Sequence, residues 1–112
     1  MHALPLAEQH CEHRSGAPLS LTDMQLLLTQ VPGWAIDASA PGGVLQQTFD
    51  FTNFHQTMAF VNAVAWIAHS QDHHPEISVS YQHCTLRWST HSVGGLSLND
   101  FICAARVDAL SR

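Results

Sequence analysis

The strongest constraint on this chain is a change of hydrophobic period across Asp72-His73-His74-Pro75. Before it, Phe54, Met58, Val61, Ala65 and Ala68 recur at helical spacing, and Phe60, Val64 and Ile67 widen the stripe. After it, Ile77, Val79 and Tyr81 alternate with Ser78 and Ser80, the period of a strand. Pro75 lacks an N–H, cannot continue a helix, and pushes His74 toward extended geometry. Residues 70–75 are therefore a helix-to-strand corner. A helix apolar over so wide an arc packs on a sheet and on a second surface, which points to oligomerisation.

The remaining segments fit around that corner. Ser20 and Asp23 have capping-box spacing, Leu19 and Met24 have staple spacing, and Met24, Leu27, Leu28 and Val31 recur at helical period until Pro32-Gly33. Trp34-Ala35-Ile36 is a short extended piece. A turn at Ala40–Gly43 leads to an alternating strand, Val44 to Phe51, with Leu45, Gln47, Phe49 and Phe51 on the buried face. Asn53 with Gln56 caps the central helix, expected from Phe54 to about His69. Cys84, Leu86, Trp88 and Thr90 alternate with Thr85, Arg87, Ser89 and His91, a strand joined to the previous one by a tight connection at Gln82-His83. Gly94-Gly95 breaks it, and Ser97 with Asp100 opens a last helix from Leu98 to about Leu110. The order α-β-β-α-β-β-α predicts an α+β fold, a four-stranded antiparallel sheet with helices packed on one face. Residues 1–18, with Pro5, Gly16 and Pro18 and no periodicity, read as a flexible N-terminal arm, and 19–112 as a single domain.

Charge excludes one class of partner. The chain has 112 residues, a formal net charge of −5, and only Arg14, Arg87, Arg106 and Arg112 as fixed cations. No basic patch can neutralise phosphates, so direct nucleic-acid binding is not expected. No apolar run approaches the roughly 20 residues of a membrane helix, and the first residues do not resemble a signal peptide. A cytoplasmic protein is the expectation. Three cysteines without paired spacing, Cys11, Cys84 and Cys103, argue against a disulfide framework; Cys84 and Cys103 read as small core residues. His10-Cys11-Glu12-His13 has the look of half a zinc site, but no second half exists.

Three histidines carry the candidate chemistry. His73 and His74 sit at the corner, and a hairpin between 76–81 and 84–90 brings His91 back level with them. Histidine alone titrates, unperturbed, near neutral pH, so three converging imidazoles suit a reaction that adds one proton and removes another. Asp72 is the expected orienter of an imidazole, with Glu76 as an alternative. Asp100 reads first as a helix-capping carboxylate and second as a neighbour of His91. The competing reading is a three-histidine metal site, for which the i,i+4 spacing of His69 and His73 is the support. The other histidines read as surface residues.

Gly33-Trp34, the strand ending Phe49-Asp50-Phe51, the helix Phe54–Ala68, His73-His74-Pro75, Ser89-Thr90-His91, Gly95-Leu96 and Asp100 together resemble the pterin-4a-carbinolamine dehydratases, over about Leu21 to Leu110. The chain is most similar to bacterial members found beside phenylalanine hydroxylase. The resemblance implies dehydration of 4a-hydroxytetrahydropterin to quinonoid dihydropterin, recycling the cofactor of an aromatic amino acid hydroxylase. It implies no metal and no bound cofactor, and a homodimer or homotetramer. It assigns His73, His74 and His91 as the acid–base set, with Asp72, Pro75 and Asp100 in support and Trp34, Ser89 and Thr90 as substrate contacts. Trp34 has an equally good reading as a cap on the core. One departure stands out: family members often carry Glu four residues before the first histidine, where this chain has His69. The alternative function is a non-catalytic binding or regulatory partner of a hydroxylase on the same fold.

Overall fold

A computed structural model describes residues 4–110; residues 1–3 of the expected arm and 111–112 of the expected domain lie outside the described residues. Helices α1 (Leu21–Leu28), α2 (Phe54–Gln71) and α3 (Leu98–Asp108) alternate with strands β1 (Ala35–Asp37), β2 (Val44–Asp50), β3 (Glu76–Ser80) and β4 (His83–Trp88), in the expected order. Each helix starts at the polar residue that the sequence marks. Ser20 accepts the Asp23 N–H, Asn53 accepts the Gln56 N–H, and Ser97 with Asp100 forms a reciprocal capping box.

The strands form one sheet in the order β1-β2-β4-β3, every pair antiparallel. The register places Leu45 opposite Trp88 and Phe49 opposite Cys84, and Ile77 opposite Leu86. These residues share one face, and the helices cover it with Phe60, Val64 and Ile67 of α2 and Phe101, Ile102, Ala104 and Val107 of α3. The other face is polar. The Thr48 and Thr85 hydroxyls are 2.8 Å apart, and Arg87 reaches Asp37, Gln46 and Glu76. Helices therefore have only one sheet face on which to bury apolar surface. Phe54 and Trp66 of α2 stay exposed in the single chain.

The β3–β4 turn lies at Tyr81-Gln82 rather than at Gln82-His83, with Ser80 paired to His83. Neighbouring contacts decide this. The Gln82 carbonyl accepts the Phe51 N–H, the Tyr81 carbonyl accepts the Thr57 hydroxyl, and the Gln82 amide donates to the Thr52 carbonyl. Polar atoms of the β2–α2 connection thus hold the turn one residue earlier than sequence alone suggests.

Trp34 is a cap on the core. It is 3% exposed, meets Phe49 edge-on at 5.7 Å, and donates its indole N–H to Asp108 at 3.0 Å. The first described residues also pack on the domain. Leu6 is buried, the Cys11 N–H donates to Gln71, and Asn99 holds both the N–H and the carbonyl of Glu12.

The β1–β2 loop and the loop before α3 cross at two glycines. A Cβ on Gly95 would sit 2.4 Å from the Gly42 Cα, while the Leu96 N–H donates to the Gly42 carbonyl at 2.9 Å. This crossing anchors the segment that carries Thr90 and His91, because Thr90 and Gly95 exchange backbone hydrogen bonds of 2.7 and 3.3 Å. Replacing Gly95 with alanine forces two backbones apart and should cost about 1–3 kcal/mol, as overpacking does; chemical denaturation should show the loss as a lower midpoint at unchanged slope.

Candidate active site

The corner after α2 is a left-handed helix cap. Asp72 has φ 49°, its N–H donates to the His69 carbonyl, and the His73 N–H reaches back to the Ala68 carbonyl. This pair of bonds is the Schellman arrangement, with aspartate in the position that glycine usually takes. It reverses the chain within one residue, so His73 leaves the helical path and turns in toward α3. His74 stays at the surface, and Pro75 starts the extended path into β3. The helical i,i+4 relation of His69 and His73 ends at this cap, and with it the geometric basis for a shared metal ligand pair. His69 is exposed, against Trp66.

Asp100, not Asp72, contacts the imidazole. His73 Nε2 lies 2.6 Å from Asp100 Oδ1, and the ring stacks on Trp88 with centroids 5.7 Å apart and planes at 16°. Asp100 is 0% exposed. Its other oxygen accepts the Thr90 hydroxyl at 2.8 Å and the Ser97 N–H at 2.9 Å. The carboxylate thus caps α3 and orients His73 together. The capping role is the first reading of Asp100; its second, as a neighbour of His91, gives way to contact with His73, and His91 is exposed at the start of a 3-10 turn, His91–Val93.

A cleft of about 510 Å³ opens at these element ends, within the range of small-molecule sites. His73, His74 and His91 all line it, with Asp72, Ser89 and Thr90. Asp100 lies beneath, and Pro75 shapes the corner without lining the cleft. Trp34 is not part of it. Sequence reasoning missed a fourth wall: Cys11, Glu12, His13 and Arg14, with Gln71, Ser92 and Asn99. Arg14 Nε donates to Asn99 at 3.0 Å, and the Ser92 hydroxyl donates to the Arg14 carbonyl at 2.8 Å. The only trace of this wall in the sequence is the density of polar side chains in His10–Arg14, since a segment held by side-chain amides carries no hydrophobic period.

Burial is the largest influence on His73 and works against its charged form. The Asp100 hydrogen bond and charge, with smaller contributions from Cys11 and Asp72, outweigh it, so the pKa lies above the ordinary 6.5. A folded-state pKa raised above the unfolded one adds stability that is complete below the unfolded value. The increment is lost as pH rises through the folded value. Asp100→Asn keeps an acceptor for the Ser97 N–H but removes the charge. It should lower the His73 pKa, followed by NMR titration of the imidazole, and flatten the loss of stability above pH 6.5.

A family model described as pterin 4 alpha carbinolamine dehydratase matches residues 17–110. A protein of Stenotrophomonas maltophilia strain R551-3 is 53% identical over 110 residues, covering 96% of this chain and 93% of its own length. One from Xanthomonas campestris pv. campestris strain 8004 is 50% identical over 109 residues, covering 96% and 91%. Both carry the provisional name pterin-4-alpha-carbinolamine dehydratase. Among solved structures, a Brucella melitensis protein described as a transcriptional coactivator/pterin dehydratase superposes with TM-score 0.76 at 26% identity, covering 82% of this chain and 96% of that one. A pterin dehydratase-like protein described as a RuBisCO assembly factor shares the fold at TM-score 0.58 and 24% identity, covering 69% and 87%. With its family match spanning the whole sheet and all three helices, this chain belongs to the pterin-4a-carbinolamine dehydratase family of hydro-lyases.

Proposed function

We propose that this protein dehydrates 4a-hydroxytetrahydropterin to quinonoid dihydropterin by histidine acid–base catalysis. The observation that carries the reading is one cleft lined by three imidazoles, one of them set on a buried carboxylate. The reaction breaks the C4a–O bond, releases the hydroxyl as water after protonation, and takes a proton from N5 as the C4a=N5 bond forms. Hydrogen bonding to Asp100 favours imidazolium at His73, which suits it to donate the proton to the departing hydroxyl. In this reading His74 or His91, both exposed and lining the cleft, accepts the N5 proton, and Ser89 and Thr90, which also line it, contact the substrate. Asp72 adds negative charge near His73.

The same reading makes the reaction independent of metal and bound cofactor, and makes the protein the recycling partner of an aromatic amino acid hydroxylase. A cytoplasmic homodimer or homotetramer completes it. No helix among the described residues is long and apolar enough to cross a membrane. The exposed Phe54 and Trp66 on α2 offer apolar surface to a second copy.

A second reading, a binding role on the same fold, is favoured by the double description of the Brucella protein. One experiment separates the two. The decay of enzymatically generated 4a-hydroxytetrahydropterin is followed by ultraviolet absorbance with the protein and with His74→Ala. Acceleration by the unmodified protein that falls about 10²–10⁴-fold in the variant supports catalysis; no acceleration by folded protein favours binding. Acceleration should survive treatment with a chelator, and loss that added metal restores would overturn the metal-independent mechanism.

A further inference from the structure

The fourth wall of the cleft holds one sulfur, Cys11, and a second, Cys103, lies behind it in α3; the proposed dehydration uses neither. Cys11 Sγ lies 3.6 Å from Cys103 Sγ, across a separation of 92 residues. Their surroundings differ. Cys11 is half-buried and lines the cleft, where solutes reach it, whereas Cys103 is 0% exposed in α3. Cys11 sits in an irregular segment held by side-chain hydrogen bonds to Gln71 and Asn99, and Cys103 sits on a rigid helix. A disulfide needs sulfurs about 2.05 Å apart, so closure requires a shift of roughly 1.5 Å. A segment held only at its side-chain contacts can make that shift.

We propose that Cys11 and Cys103 form a redox-active pair, in which peroxide entering the cleft oxidises Cys11 and Cys103 resolves it as an intramolecular disulfide. Cys11 sulfur attacks one oxygen of hydrogen peroxide, the O–O bond breaks, and one water leaves as the sulfur becomes a sulfenic acid. Cys103 sulfur then attacks Cys11 sulfur. The S–S bond forms, the S–O bond breaks, and the Cys103 proton goes with the departing oxygen as a second water. Two thiols and one peroxide give one disulfide and two waters.

The hydrogen bond between the sulfurs lowers the Cys11 thiol pKa and raises that of Cys103, which makes Cys11 the attacking member. The product ties the 11–14 wall to α3. This inference does not depend on the dehydratase reading, because its readout is sulfur chemistry and not turnover.

The test uses full-length protein, reduced, freed of reductant and exposed to an equimolar amount of hydrogen peroxide. Free thiols are then counted after denaturation, and peptides are mapped by mass. The expected result is a fall from three thiols to one, a Cys11–Cys103 cross-link within one chain, a free Cys84, and recovery of all three with a thiol reductant. Cys11→Ser should keep both of its remaining thiols. Cys103→Ala, which removes the resolving sulfur, should accumulate a sulfenic acid at Cys11 that a cyclic diketone traps. Retention of three thiols by the unmodified protein overturns the proposal, as does a cross-link through Cys84 or between two chains. The unmodified protein and Cys11→Ser decide the matter even if Cys103→Ala fails to fold.

Discussion

A single buried carboxylate organises the functional end of this molecule. Asp100 has no exposed surface, and it receives donors from three elements: the Ser97 N–H at the start of α3, the Thr90 hydroxyl beyond β4, and the His73 ring beyond α2. A carboxylate taken out of water is tolerated only when its oxygens are hydrogen-bonded, and these three donors supply that condition. The dependence runs both ways. Without Asp100, a buried hydroxyl, a helix-terminal N–H and an imidazole would each lose a partner at once, at about 1–3 kcal/mol for each group left unsatisfied. An apolar residue of the same size would fill the space and leave the Ser97 N–H and the His73 ring without this acceptor, and the Thr90 hydroxyl with only the Ser97 hydroxyl.

The cleft exists because regular structure ends there. Strands and helices use up their own backbone groups, so side chains free for chemistry gather where elements stop. His73 follows the cap of α2, Ser89 and Thr90 follow β4, and Asn99 lies in the first turn of α3. Two devices keep these ends together. One is the left-handed aspartate at position 72, which turns the chain inward. The other is the glycine crossing of residues 42 and 95, where two backbones approach too closely for any side chain. The sheet's polar outer face complements both, because it leaves the helices one side on which to pack and so brings the ends of α2 and α3 to the same edge.

The N-terminal segment shows how a wall forms without hydrophobic periodicity. Residues 11–14 are held by the amides of Gln71 and Asn99, both buried, with Arg14 returning a bond to Asn99. The family match starts at residue 17, yet the alignments to the Stenotrophomonas and Xanthomonas proteins cover 96% of the chain and so reach into this segment. The cleft therefore has one part inside the span of the family match, which holds the three histidines, and another, residues 11–14, that lies before it.

The order of elements, the helix starts at Ser20, Asn53 and Ser97, and the corner at Pro75 were legible in the sequence, because each depends on neighbours a few residues away: capping side chains, hydrophobic period, a missing N–H. The proximity of His73, His74 and His91 was legible for a related reason, since one hairpin separates them. Which carboxylate meets which histidine was not legible. Asp72 is adjacent to His73 in sequence, but the left-handed cap carries its side chain to the surface, and Asp100, 27 positions on, takes the contact. Trp34 carried an aromatic signature that fits a substrate face or a core cap equally well, and only the packing of Phe49 and Asp108 against it settled on the core. The placement of the turn at Tyr81-Gln82, the fourth wall of the cleft and the meeting of Cys11 with Cys103 depend on contacts between distant segments. Local sequence sets what a segment prefers to be, whereas the partner of a buried polar group is decided only when the whole chain has closed around it.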